Sequence, residues 1–497
     1  MKSLSLYCTT ALIASLAPAF ADVSAQDVWD AWKVQISAAD PDVKIGAEEM
    51  VGDTLTIKGI EFTSDMPDGS ASGKVGDIGF REMGDGTVQI ILAPEFPVEF
   101  MATDAGGEEF AGKLVLRSTG MEMVASGNPG AVNYDFKAAA MTMSLEDVKT
   151  GEGAMPMTAT FTLNDATGQT KTETSDGYMF DAVAKAGSMD INVSISNPKV
   201  EGETFNLTGS SKDIALSEKG KVPAGVTMEN LSAAITAGFD VTGSVSSGAA
   251  DYQIELTGPE SLTGAMTAAS STLDFAMGAL GLGYTGTAKT ITLKAASASL
   301  PVPVDVTLDE YVAGLQMPVL KSDTPQDVGL VTKLIGLTLN EEIWALGDPG
   351  KVLPRDPATL VIDLSGKGNF TVDLFDPIAS AEMIGSPLNM ESLDVNELRL
   401  AAAGADVSGK GALTFDNSGA EMGMPPMPLG TIDVSAKGIN GLLDNLVAMG
   451  IIPADQMFSA KMAIGMYAKP GAEPDTLTTT VEMKEGGSVL INGMPIQ

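Results

Sequence analysis

From Val51 to its C-terminus this chain is written largely in a two-residue rhythm, and that rhythm leaves it few folds. The clearest run is Met157-Thr-Ala-Thr-Phe-Thr-Leu163, with Met157, Ala159, Phe161 and Leu163 on one side and three threonines on the other. Side chains alternating in this way belong to a strand with one buried and one wet face. Pro156, just ahead, marks the strand's start, because proline has no N–H to give to a ladder. Leu55 and Ile57 alternate too, as do Ile60 and Phe62 after a glycine break, and residues 87–93 are apolar on both faces for part of their length. Comparable runs recur at 190–196, 205–209, 251–258, 290–294, 358–364 and 477–483. With 55 glycines and 26 prolines punctuating them, the middle of the chain reads as a succession of short strands and turns. The predicted class is mainly β: long twisted antiparallel sheets curving around an apolar interior, with a few short helices near the N-terminus and in the C-terminal third.

The helical exceptions carry their own signals. Ser24 and Asp27 have the form of a capping pair, and Val28, Ala31, Trp32 and Gln35 recur at helical spacing. The helix they predict would be pinned to a sheet by Trp29 and Trp32, a burial role rather than a ligand-stacking one. Near the other end Asn440 is placed to cap a helix over 441–449, with Leu442, Leu443, Leu446 and Val447 as its stripe. Gly450 and Pro453 end it. A second helix is expected over 454–466, then a strand at 477–483, a turn at Glu485-Gly486-Gly487 and a closing strand at 488–492.

A weak repeat runs through the C-terminal part. Asp363-Leu-Ser-Gly-Lys-Gly-Asn-Phe-Thr-Val-Asp373 lies over Asp406-Val-Ser-Gly-Lys-Gly-Ala-Leu-Thr-Phe-Asp416. Glycine at its centre would let a sheet kink or bulge and continue. The same stretch, Gly404 to Lys410, has the spacing of a phosphate-binding loop. Gly411, however, stands where a Ser or Thr must hold magnesium, and the residues after it alternate like a strand. It reads as a hairpin.

Residues 1–21 have the layout of a cleavable secretory signal: Lys2, an apolar run from Leu4 to Leu16, and Ala19-Phe20-Ala21 ahead of Asp22. Cys8, the single cysteine, lies inside it, and Tyr7 before it argues against a lipoprotein signal. The expected product is periplasmic, cut after Ala21 and without disulfides. Its organisation is read as a β-rich region over 22–325 that opens with the helix, then a β region with inserted helices over 326–497.

Composition removes much chemistry. There is no histidine, so no Ser-His-Asp triad, Cys-His pair or His-ligated zinc can be built. A formal charge of −36 repels nucleic acid and anionic lipid head groups. The one Ser-x-x-Lys, Ser196 to Lys199, contains Pro198 and follows a strand pattern, and the many Ser-x-Lys pairs read as surface patterning. Two carboxylates could still drive glycoside hydrolysis, which would require a cleft holding both. No calcium loop is present. The 28 methionines, including the pairs Met121/Met123, Met141/Met143 and Met155/Met157 and the group Met422, Met424 and Met427, read as core filler or as an adaptable apolar lining.

The most distinctive stretch is Asn340-Glu-Glu-Ile-Trp-Ala-Leu-Gly-Asp-Pro349 with Leu353-Pro-Arg-Asp-Pro357 and the strand after it. Here the chain resembles an uncharacterised family of exported alphaproteobacterial proteins of the DUF2125 type, most closely from 338 to 377. That resemblance implies no activity. Its motif residues Trp344, Asp348, Pro349, Pro354, Asp356 and Pro357 read as a short helix and a rigid turn feeding a strand. More distantly, the pattern from Leu393 to the last strand is similar to the ends of AsmA-like proteins, which implies envelope homeostasis and lipid transport through long β-grooves.

The reading that follows is a non-enzymatic periplasmic protein, with an apolar or lipidic ligand and no nucleic acid, and with envelope proteins as further partners. A structural or interaction protein of the envelope, and a carboxylate-pair hydrolase, are the alternatives. No catalytic residue, cofactor or metal site is assigned.

Overall fold

The computed structural model describes residues 22–39, 43–66, 69–104, 107–151, 153–197, 199–200, 202–226, 230–376, 387–418 and 426–496. Residues 1–21, read above as a secretory signal, and Met422 and Met424 lie outside them. Two compact units divide the chain. The first reaches to Asp274 and takes in Ser297–Ser299; the second comprises Phe275–Ala296 and Leu300–Gln497.

Helix α1 (Ala25–Ala39) opens the first unit. Ser24 donates its N–H and its hydroxyl to Asp27 Oδ2 at 2.9 and 2.5 Å, and the Asp27 N–H returns to Ser24 Oγ at 3.2 Å. This is the capping pair expected at that position. The inward face is Ala25, Val28, Trp29, Trp32 and Ile36. Gln35 sits at the margin of that stripe and is exposed, where its amide keeps its hydrogen bonds to water. Trp29 is fully buried 5.9 Å from Phe80, and Trp32 meets the same ring edge-on at 5.3 Å. Both tryptophans therefore anchor the helix, as their spacing indicated.

The strands of this unit begin with β1 (Lys44–Val51), β2 (Thr54–Met66), β3 (Gly69–Val75), β4 (Ile78–Glu82) and β5 (Val88–Leu92). They continue with β6 (Glu95–Asp104), β7 (Glu109–Thr119), β8 (Glu122–Asn128), β9 (Ala131–Thr150) and β10 (Gly153–Ala154). Then come β11 (Met157–Glu173), β12 (Tyr178–Ser196), β13 (Thr204–Val222), helix α2 (Leu231–Thr236), β14 (Asp240–Ser247), β15 (Ala250–Thr257) and β16 (Leu262–Ala268). From β2 the sheet takes two routes. One passes through β4, β5 and β8 to the first half of β9; the other passes through β3, β6 and β7 to its second half. Beyond β9 the order is β11, β12 and β13, and β13 pairs with both β14 and β15. The dry core lies under α1, where Leu55, Ile57, Phe80, Val88, Ile90, Ala125 and Val132 close on it.

The strands are longer than the alternation suggested. β9, β12 and β13 run for 20, 19 and 19 residues. Each long strand changes phase partway. In β11 Ala159 is buried before Asp165, and Ala166, Thr170 and Thr172 after it. In β12 the inward set passes from Ala182 and Ala186 to Met189, Ile191, Val193 and Ile195. Asp165 in β11 and Asp213 in the adjoining β13 adopt φ of 51° and 52°, a left-handed conformation that aspartate tolerates better than most residues. Neighbouring strands step together, so Asn164↔Ser188 and Thr167↔Lys185 keep one register. Runs that read as separate short strands are thus halves of single strands joined by a bulge.

Strand β17 (Ser270–Gly278) carries the chain into the second unit. There β18 (Gly281–Ser297), β19 (Val304–Met317), β20 (Gln326–Leu339), β21 (Ala358–Phe370), β22 (Leu388–Ala402), β23 (Ala405–Asp416) and β24 (Met427–Lys437) pair in sequence order, all antiparallel. Next, β26 (Thr476–Met483) pairs with β24, with the short β25 (Lys469–Pro470) and with β27 (Val489–Ile491), and β28 (Met494–Pro495) closes the order. The tempting phosphate loop is the β22–β23 hairpin, turned by Ala403 and Gly404 at φ 52° and 84°. Both copies of the Ser-Gly-Lys-Gly repeat lie inside strands, β21 and β23.

Three helices sit in the connections: α3 (Glu341–Gly347), α4 (Ile439–Ala448) and α5 (Ala454–Tyr467). Asn440 is not the N-cap of α4; Gly438 holds that position, and the helix starts earlier than its pattern suggested. The capping carboxylate comes from Asp475, just before β26, which accepts from the Asn440 and Gly441 N–H groups at 3.2 and 3.1 Å and from Asn440 Nδ2 at 2.7 Å. An anion at a helix N-terminus does the same work from any distance in sequence. Among the described residues no helix is long and apolar enough to cross a membrane.

Candidate functional site

Strand register places the alternating apolar residues of the second unit in continuous rows. One row crosses nine strands: Tyr284, Leu315, Leu330, Leu364, Val395, Gly411, Ile432, Val481 and Ile491. Four residues along, Ala288, Tyr311, Leu334, Leu360, Leu400, Val407, Ala436 and Leu477 form another on the same face. A one-residue register shift between Val395 and Leu398 keeps the rows aligned across β22. Val395 is buried, but Tyr284, Tyr311, Leu330 and Leu400 remain 43, 39, 44 and 58% exposed. The face is apolar and only half covered.

The opposite face is polar and laced by cross-strand ion pairs. Lys333 reaches Asp363 at 2.9 Å, Lys367 reaches Asp327 at 2.7 Å, and Arg399 reaches Asp406 at 2.8 Å. The Lys367–Asp327 and Arg399–Asp406 pairs are exposed and contribute little stability, Lys333–Asp363 is half-buried, and together they mark which side meets water.

The first unit repeats the arrangement. A row crosses ten strands from Ile60 through Val75, Val98, Leu114, Leu145, Ala159, Val193, Leu207 and Ile254 to Gly264. It begins in the dry core, where Ile60 is buried, and ends half open, with Ile254 39% and the neighbouring Met266 38% exposed. Tyr252 lies over Gly209 there, where a Cβ would stand 2.1 Å from the ring. On the outer face of this unit a shallow cavity of about 400 Å³ is lined by Thr167, Gln169, Val183, Lys185, Ser217 and Ser244. Beside it Asp135, paired in register with Gln169, is half-buried, and burial pushes its carboxyl up to about 6.

Methionine serves as core filler at some of the expected positions. Met123 and Met141 are buried filler, while Met143 lies in an apolar row between Leu116 and Phe161. No cluster of three or more His, Cys, Asp or Glu side chains fit to hold a metal occurs among the described residues.

The distinctive motif forms a knot around one carboxylate. Asp348, at the C-terminal end of α3, is 2% exposed and its N–H donates to the Trp344 carbonyl at 2.7 Å. Its carboxylate accepts from the Val352 and Leu353 N–H groups at 3.0 and 2.9 Å and from Arg355 Nη1 at 2.6 Å. Arg355 lies over the Trp344 ring, 4.4 Å from its centroid, and reaches Glu341 at 3.2 Å. Burial pushes the Asp348 carboxyl up, but the Arg355 guanidinium and the two N–H donors outweigh it and hold it at about 2. Pro354 packs against Gly404 in the β22–β23 turn. Pro349, Asp356 and Pro357 are exposed and lead the chain away from α3 and into β21. The structure thus gathers Trp344, Asp348 and Pro354 into one support. It adds Arg355 and Glu341, which the sequence reading did not single out. The signal available was a lone arginine seven residues after the aspartate, within reach once a turn intervenes.

Residues 251–496 match a family described as an uncharacterized protein conserved in bacteria (DUF2125). Over this half the chain belongs to that family. The DUF2125 region holds the Asp348 knot and all the apolar rows of the second unit. Comparison with curated proteins and with solved structures finds no match.

Proposed function

We propose that this DUF2125 protein is a non-enzymatic protein of the bacterial periplasm that binds an apolar or lipidic ligand along the half-covered face of its second unit. The observation that carries the reading is the nine-strand row from Tyr284 to Ile491, with the second apolar row four residues along on the same face. An apolar surface this continuous and this open is a binding surface more often than a solvent boundary. Covering a half-exposed Leu or Tyr contributes about 1 kcal/mol, whereas micromolar affinity needs about 8 kcal/mol. A small apolar molecule touching two or three of these side chains would bind too weakly to matter. A long chain lying along a row would reach the necessary sum, so the ligand class is one with an extended alkyl portion. The resemblance of the C-terminal pattern to AsmA-like proteins supports the same reading, and the signal-like segment 1–21 supports the compartment.

Native mass spectrometry of protein purified from its own periplasm, with organic extraction of whatever is bound, tests this. A reproducible adduct bearing alkyl chains supports a carrier. A clean apo mass that stays unchanged after incubation with envelope lipids would move the assignment to a structural or interaction protein of the envelope.

A further inference from the structure

Helices α4 and α5 form a hairpin between β24 and β26, and they contact each other. On α5 the half-buried residues are Met457, Ala460, Lys461 and Ile464, one face at helical spacing. The outer face is not the polar one expected of a surface helix. Phe458, Met462 and Met466 follow one another at four-residue steps and are 71, 54 and 56% exposed. Ile451, in the loop between the helices, adds 59%, and Tyr467 at the end of α5 adds 40%. A helix apolar on both sides requires a second apolar neighbour.

The charges indicate which neighbour. The segment 439–467 carries three: Asp444, Asp455 and Lys461. Lys461 pairs with Asp444 at 2.6 Å, leaving Asp455 in the first turn of α5. This hairpin is nearly neutral within a chain of formal charge −36. An anionic surface would be repelled by the rest of the molecule, and nothing on the hairpin offsets that. An uncharged apolar layer under zwitterionic head groups suits both facts. The fourteen residues of α5 make a helix about 21 Å long, enough to lie in such a surface and too short to span it. Tyr467, with an apolar ring and a polar tip, suits the boundary.

We infer that the α4–α5 hairpin docks this protein on zwitterionic lipid bilayers, with Ile451, Phe458, Met462 and Met466 entering the interface. The inference stands without a ligand on the sheet. If both hold, docking brings lipid to the strand ends where Leu477 and Ala436 close an apolar row.

The test is flotation of the full protein, purified from its own cells, with phosphatidylcholine vesicles and with vesicles enriched in phosphatidylglycerol. The wild type is compared with Phe458→Glu/Met462→Glu and with Leu330→Glu. Flotation with phosphatidylcholine should fall about tenfold or more in the hairpin variant and hold in Leu330→Glu. The acidic vesicles should capture less of the wild type. Equal flotation of wild type and hairpin variant, or none by either, overturns the inference. So does a wild-type dimer, found without vesicles, that Phe458→Glu dissociates, because a second copy would then cover the face. Binding of soluble alkyl ligands, retained in the hairpin variant and lost in Leu330→Glu, separates this inference from the proposed function.

Discussion

Arg355 Nη1 sits 2.6 Å from Asp348 Oδ2, seven residues apart in sequence, with the guanidinium stacked on Trp344. A buried carboxylate that also takes two backbone N–H groups holds the turn between α3 and β21 in one shape. The geometry is that of a support, closing a loop against the β22–β23 hairpin.

Asp348→Asn keeps the shape but forfeits the charge that Arg355 and the N–H donors compensate. Its thermal midpoint should fall by about 5 °C or more, while ligand binding by the folded protein is unchanged. The effect depends on pH in a defined direction. Held at about 2 in the folded protein, below its ordinary value, Asp348 stabilises fully above about pH 4. That contribution is lost as pH falls toward 2. Wild type and variant should therefore converge in urea melts at pH 2.

Asp135 should act with the opposite sign. Its carboxyl is pushed up to about 6, so between about pH 4 and 6 the folded chain holds more protons than the unfolded one. Stability falls as pH rises through that window. Asp135→Asn should flatten this part of the stability–pH curve, and an unchanged slope would assign it to other groups.

Leu330 is 44% exposed at the centre of the apolar row. Leu330→Glu should weaken binding of a fluorescent fatty acid about tenfold or more, because a charge would be desolvated beneath the alkyl chain. Its midpoint should shift little, since half the side chain already meets water.

Asp475→Ala removes the cap of α4 from a residue 35 positions away in sequence from Asn440. The expected cost is about 1 kcal/mol, about 3 °C in the midpoint. Amide exchange should quicken at Asn440 and Gly441 before it changes in the strands. Uniform acceleration across β24 and β26 would mean that Asp475 holds the sheet as well.

Gly411 lies in the nine-strand row, where an added Cβ would stand 2.2 Å from the Thr431 carbonyl oxygen. Gly411→Ala should force β23 away from β24 and lower the midpoint by several degrees, with loss of exchange protection concentrated in that pair.

What the sequence by itself determined is whatever rests on near neighbours. Met157 to Leu163 could only be a two-faced strand, Ser24 and Asp27 could only open a helix, and Gly404 to Lys410 read as a hairpin rather than a phosphate loop, because each signal spans a few residues. That no histidine-dependent triad or metal site can be built was legible there too. The tertiary structure decided what depends on partners far along the chain. Asp165 and Asp213 shift the alternation so that two short patterns become one long strand, and only the adjoining strand shows that the register survives. Asp475 replaces Asn440 at the head of α4 because a carboxylate from the turn before β26 reaches it. The half-open apolar row exists only across nine strands. Alternation says which side of each strand is apolar, but the hydrogen-bond register between strands sets which apolar side chains meet and how much of them stays uncovered.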